Sequence, residues 1–86
     1  MSETLQQISQ AVIEGRMNEI SSLAQSALDE GLNAQVILDQ GLMMGMDYVG
    51  KEFKAGAMFV PEVLRSAKTM QNAMEILNPQ LAAGGA

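Results

Sequence analysis

Apolar positions recur along this chain at helical spacing, and the runs are broken by glycine or by a Gly-to-Asn loop. Leu5, Ile8 and Val12 stand at i, i+3 and i+7 with Ala11 and Ile13 beside them, which predicts an amphipathic helix over 3–14. Ser2 is placed to cap it and Gly15 to stop it. Met17, Ile20, Leu23, Ala24, Ala27 and Leu28 form one stripe and predict a second helix over 17–30. Asn18 or a neighbour caps that helix, Gly31 ends it, and Leu32 packs back against it. Asn33 caps a third helix, 34–55, whose stripe is Val36 or Ile37, Leu38, Leu42, Gly45/Met46, Val49 and Phe53. Met43 and Met44 fall off that stripe, so this helix is expected to be wet on a narrow side only. Val63, Ala67, Met70, Met74 and Leu77 then step by fours and threes and predict a fourth helix over 61–77. Pro79 biases Asn78 out of helical geometry and marks its end. With no strand pattern and no repeat, the expected fold class is all-α, an antiparallel four-helix bundle.

The stretch from Gly41 to Leu64 holds both phenylalanines, the only tyrosine and half of the eight glycines. Each Gly inside a helix costs about 1 kcal/mol relative to Ala, so something offsets that cost. Two readings stand: close helix packing, or an apolar surface shaped for a partner. Gly41 and Gly45 share one helix face, where a neighbouring backbone can approach closely; Gly50 relieves a different flank. Gly56 fits a left-handed C-terminal cap with Lys54 near the negative helix end. Pro61 fits the first position of the next helix, with Phe59 and Leu64 as a hydrophobic staple across its start. The region therefore reads as helix, apolar turn, helix, and turns are normally wet.

Composition narrows the chemistry. The chain lacks histidine and cysteine, which removes zinc–histidine sites, thiolate ligands, cysteine nucleophiles and the commonest general base. The carboxylates are scattered over polar helix faces, without a Glu-x-x-His pair for a di-iron site, so neither catalytic nor metal-ligating residues are assigned. A net charge of −5 argues against nucleic acid or an anionic membrane as partner. The polar start MSETLQQ lacks signal-peptide character, and no segment reaches the ~18 apolar residues of a membrane span. A cytoplasmic domain is expected. Met46, Met70 and Met74 read as core filler, while Met58 divides evenly between core and an adaptable binding surface. Phe53, Phe59 and Val60 lean towards function, because an apolar turn needs something to cover it.

Gly41-Leu42, Gly45-Met46, Val49-Gly50, Phe53, Gly56, Met58-Phe59-Val60-Pro61, Val63-Leu64, Ser66-Ala67 and Met70 together resemble the helical cap domain of cobalamin-binding proteins. That domain precedes the corrinoid-binding domain in methionine synthase and in the corrinoid proteins of anaerobic methyltransferase systems. The resemblance implies a cap over the upper face of the corrin, shielding the cobalt-bound methyl group and moving aside for methyl transfer. It assigns corrin contact to Phe53, Phe59, Val60 and Val63. The family's cobalt-binding half carries an Asp-x-His-x-x-Gly motif, which a chain without histidine does not contain.

The resulting expectations are a non-catalytic cap domain over 1–78 and a linker or tail over 79–86, towards a corrinoid-binding domain that this chain lacks. Cobalamin is expected only together with that domain. The implied partners are the corrinoid-binding domain and cognate methyltransferases, and self-association of the isolated domain is expected through the uncovered Phe59/Val60 surface. A second reading is a helical protein-interaction or self-association module whose apolar turn docks a partner helix or another copy.

Overall fold

A computed structural model describes residues 3–84, and the Ser2 cap lies outside them. Four helices run up and down in an antiparallel bundle, without a strand among the described residues. Helix α1 is Glu3–Glu14 and α2 is Ile20–Asp29. Helix α3 is composite: an α-helical start Ala34–Ile37, a π-helical turn Leu38–Leu42 and an α-helical remainder Met43–Lys54. Helix α4 is Val60–Gly84.

Three glycines end the first three helices in the same way. Gly15, Gly31 and Gly56 all have positive φ, at 69°, 91° and 82°. At each one the glycine N–H bonds three residues back, and the next N–H bonds five back: Arg16 to Ala11 at 2.9 Å, Leu32 to Ala27 at 3.1 Å, Ala57 to Glu52 at 2.9 Å. This is the Schellman pattern, in which glycine supplies the left-handed residue without steric cost. Asn33 caps α3 by accepting from the Gln35 N–H at 2.7 Å.

The core is aliphatic: Leu5, Ile8 and Val12 of α1, Ile20, Ala24 and Ala27 of α2, Ile37 and Leu42 of α3, and Ala73 and Leu77 of α4. Met46, Met70 and Met74 pack against it as filler. Gly41 and Gly45 face α1 closely enough that added Cβ atoms would lie 3.0 Å from Ile8 Cγ2 and 2.9 Å from the Ser9 carbonyl oxygen. The π turn interrupts the regular α-helical ladder here, and the Ser9 hydroxyl donates to the Gly41 carbonyl at 2.6 Å.

Several expectations are corrected. Helix α2 starts at Ile20, and the residue before it, Glu19, makes no side-chain cap; Asn18 does not cap the helix. The loop before it is held instead by the Gly15 turn and by Asn72 of α4, whose side-chain amide donates to the Met17 carbonyl at 3.3 Å. Helix α3 is wet over more than a narrow side, since Met43, Met44, Tyr48 and Phe53 are all exposed. Gly50 relieves nothing, because a Cβ there would meet open space. The most buried stripe of α4 is Ser66, Thr69, Ala73 and Leu77, with Val63, Ala67, Met70 and Met74 only half-buried beside it. Ser66 reaches towards the Ile13 carbonyl at 3.5 Å, and Thr69 donates to the Arg65 carbonyl at 2.8 Å, so both hydroxyls are satisfied. Finally, α4 does not stop near Asn78 but continues through Pro79 to Gly84. Packing of Leu77 and Leu81 against the core offsets the helical hydrogen bond that proline cannot donate.

Candidate functional site

The turn from Ala55 to Phe59 joins α3 to α4 at one end of the bundle. The Gly56 cap folds the chain back sharply, with the N–H groups of Ala57 and Met58 both donating to the Glu52 carbonyl, at 2.9 and 3.3 Å. The start of α4 is fixed from the other side. Glu62 accepts from the Phe59 N–H at 3.0 Å, which is the reach-back half of a capping box.

That capping arrangement sets the helix register. Val60 is the first residue of α4, and Pro61 the second rather than the first. Phe59 and Leu64 do not form the expected staple: they are 70% and 63% exposed and bury no common surface that would shelter either. Glu62 does the capping, so Phe59 and Leu64 are left outward.

Val60 is 55% exposed and Phe53, at the end of α3, 47% exposed, while Val63 is half-buried. At about 100° per residue, Val60, Val63, Leu64 and Ala67 fall within ~100° of arc on α4. All four residues assigned from sequence are therefore at one end of the bundle, and two of them, Val60 and Val63, share one helix flank. Leu64 was missed as a site residue. Its i+4 spacing from Val60 was the available signal, but it was read as a staple partner.

The patch contains no acid, base or ligating group. The carboxylates nearest in sequence are Glu52, which accepts from the Tyr48 hydroxyl at 3.4 Å, and Glu62, which is engaged with the backbone. Among the described residues there is no cluster of His, Cys, Asp or Glu that would hold a metal ion. The one clear electrostatic perturbation is elsewhere: Glu14 is held below the usual carboxylate range, chiefly by the Gln10 side-chain amide at 2.5 Å and then by Arg16. Arg16 pairs with Glu14 and, at 3.4 Å, with Glu19. A cavity of about 350 Å³ lies behind the turn, between Ile13 and Glu14 of α1 and Met58, Pro61, Glu62 and Arg65. No helix among the described residues is long and apolar enough to cross a membrane. Chemically the patch is an exposed apolar surface formed by Phe53, Phe59, Val60 and Leu64.

Comparison with known proteins identifies the family and the fold. The B12 binding domain family matches residues 4–78. A corrinoid protein of Desulfitobacterium hafniense is 37% identical over 81 residues, which is 94% of this chain and 38% of that protein. Monomethylamine corrinoid protein 2 of Methanosarcina acetivorans is also 37% identical, over 92% of this chain and 36% of its own length. The solved structure of the Methanosarcina barkeri monomethylamine corrinoid protein superposes with a TM-score of 0.90 at 35% identity, covering 92% of this chain and 37% of that one. The chain thus spans somewhat over a third of the length of these relatives. The match takes in all four helices, the glycine-capped turns and the apolar flank of α4, and this chain belongs to the B12 binding domain family of corrinoid proteins.

Proposed function

We propose that this chain is the cap module of a corrinoid methyl carrier, lying over the upper face of cobalamin held by a separate corrinoid-binding domain. The observation that carries the reading is the exposure of Phe59, Val60 and Leu64 at the start of α4, beside Phe53, in a bundle whose other large aliphatic side chains are mostly covered. Leaving such side chains in water forfeits about 1.5–3 kcal/mol each, so a working state that covers them is favoured.

The residues fit the group in one specific sense. Cobalamin supplies a cobalt centre able to carry a methyl group. The patch has no histidine, thiol or free carboxylate with which to compete as a ligand, and it provides surface that keeps water and oxidants away. Phe53, Phe59, Val60 and Val63 would hold the corrin face, with Leu64 extending the cover. The module itself is non-catalytic, and its partners are the corrinoid-binding domain and the methyltransferases that exchange the methyl group with it. An apolar contact without ion pairs or hydrogen bonds at its centre suits a cap that must also move away.

The test is an absorbance titration of methylcobalamin with the 86-residue chain alone and with a full-length corrinoid protein carrying it as its helical part. The chain alone should bind weakly or not at all, whereas the full-length protein should hold the cofactor. Tight binding by the isolated chain contradicts the reading.

A further inference from the structure

Phe59 stands immediately before Val60, the first residue of α4, a position where Ser, Thr, Asp or Asn is strongly preferred. The side chain of such a residue accepts from the second or third N–H of the helix. Here that duty is lifted. The second helical residue is Pro61, which has no N–H, and the third, Glu62, donates its N–H to the Phe59 carbonyl at 3.0 Å. Val63 donates to the same carbonyl at 3.1 Å. The position is thus free for an aromatic side chain that caps nothing.

Backbone hydrogen bonds, and not packing, hold the turn that leads to it. The N–H groups of Ala55, Gly56, Ala57 and Met58 all donate to carbonyls of the last turn of α3, those of Lys51, Phe53 and, twice, Glu52. The Phe59 N–H is the exception, bonding to the Glu62 carboxylate. Among the described residues that is the one side-chain hydrogen bond to the backbone of 55–59. Behind the turn lies the cavity of about 350 Å³, with Met58 and Glu62 on its wall, so no close-packed layer fixes Phe59 from below.

We propose that Glu62 is a positioning residue for the cover: by holding the Phe59 N–H it fixes the Phe59 side chain outward, ready for the corrin face. The inference rests on the shielding reading above and adds the residue that sets its geometry. Glu62 touches no reacting atom; it acts through Phe59. A side chain ordered before contact loses less freedom when the contact forms, so the cover is tighter for the same apolar surface. What the bond needs from Glu62 is an acceptor oxygen, which the amide of glutamine also offers.

The experiment uses the full-length Methanosarcina barkeri monomethylamine corrinoid protein with this chain in place of its matching helical region, loaded with methylcobalamin. The readouts are photolysis of the methyl–cobalt bond and melting temperature. Glu62→Ala should speed photolysis several-fold, and Glu62→Gln should stay at the parent rate. In a Phe59→Ala background, already fast, Glu62→Ala should add nothing. Asn33→Ala is the stability control: it removes a capping bond at the other end of the bundle and should lower the melting temperature at the parent photolysis rate. Parent-rate photolysis in Glu62→Ala, with Phe59→Ala fast, overturns the positioning role and leaves shielding standing. So does a Glu62→Gln rate equal to that of Glu62→Ala, a further increase in the double variant, or an increase in Asn33→Ala. If Phe59→Ala itself stays at the parent rate, the shielding reading fails and the positioning role with it.

Discussion

Gly45 lies directly against the backbone of Ser9: a Cβ at Gly45 would sit 2.9 Å from the Ser9 carbonyl oxygen, and equally close to Val12 Cβ. Neither atom can yield by a rotamer change. Gly45→Ala should therefore destabilise the fold by about 1–3 kcal/mol, even after its gain in helix propensity. Gly50→Ala is the control, because its Cβ meets open space; it should stabilise by up to about 1 kcal/mol. Urea denaturation of the two variants checks both signs.

Gly15 and Gly31 both have positive φ, but only Gly15 is covered, with Arg65 Cδ and Cγ each 2.5 Å from a built Cβ. Gly31→Ala should cost about 1–2 kcal/mol for its backbone alone. Gly15→Ala should cost more, and Arg65→Ala in the same chain should recover the excess. A double-mutant cycle on melting temperature reads that coupling; strict additivity would mean that the Arg65 stem does not rest on the turn.

The length of α4 gives a third test. Leu81 packs against the core beyond Pro79. Removing residues 79–86 should lower stability by about 1–3 kcal/mol, the order expected for exposing one leucine and its helical turn. Pro79→Ala should raise stability by restoring a helical hydrogen bond. A truncated chain that melts with the full one would show that the last helical turns contribute nothing to the fold.

These contrasts show what was legible in the sequence. The helix count, the antiparallel layout and the three glycine stops followed from residue spacing, because left-handed caps leave a strong local signature at Gly15, Gly31 and Gly56. The Gly41/Gly45 face was legible from its four-residue spacing, which places both glycines on one side of the helix. The π turn at Leu38–Leu42 was not, since a single extra residue in a helical ladder leaves the apolar pattern nearly intact. The continuation of α4 was missed because Pro79 has a strong local preference that the distant packing of Leu81 overrides. At the site, the structure places Phe53, Phe59, Val60 and Val63 at one end of the bundle, whereas their assignment to corrin contact rests on resemblance. Periodicity alone placed Leu64 under Phe59, and only the Glu62 cap shows that both face outward.

Glu14 provides a small pH effect whose sign is fixed. In the folded chain its carboxyl is held below the usual carboxylate range, chiefly by the Gln10 hydrogen bond and then by Arg16. The stability it contributes is present above the unfolded carboxylate pKa and is lost as pH falls through the lower folded value. Glu14→Gln should therefore lower the melting temperature slightly at neutral pH, where the contribution is present, and converge with the parent in acid, so that its acid limb is flatter. A variant whose acid limb is as steep as the parent's would show that Glu14 does not contribute to it.

Phe59 tests the proposed function most directly, because among the described residues it is the most exposed large apolar side chain, at 70%. The measurement is photolysis of the methyl–cobalt bond in a full-length corrinoid protein carrying this chain, with and without Phe59→Ala. A cover over the upper face slows net photolysis by holding the fragments together for recombination. Shielding by Phe59 predicts faster photolysis with an unchanged melting temperature, since an exposed side chain contributes little to the fold. Unchanged photolysis in a variant that retains its cofactor would contradict it.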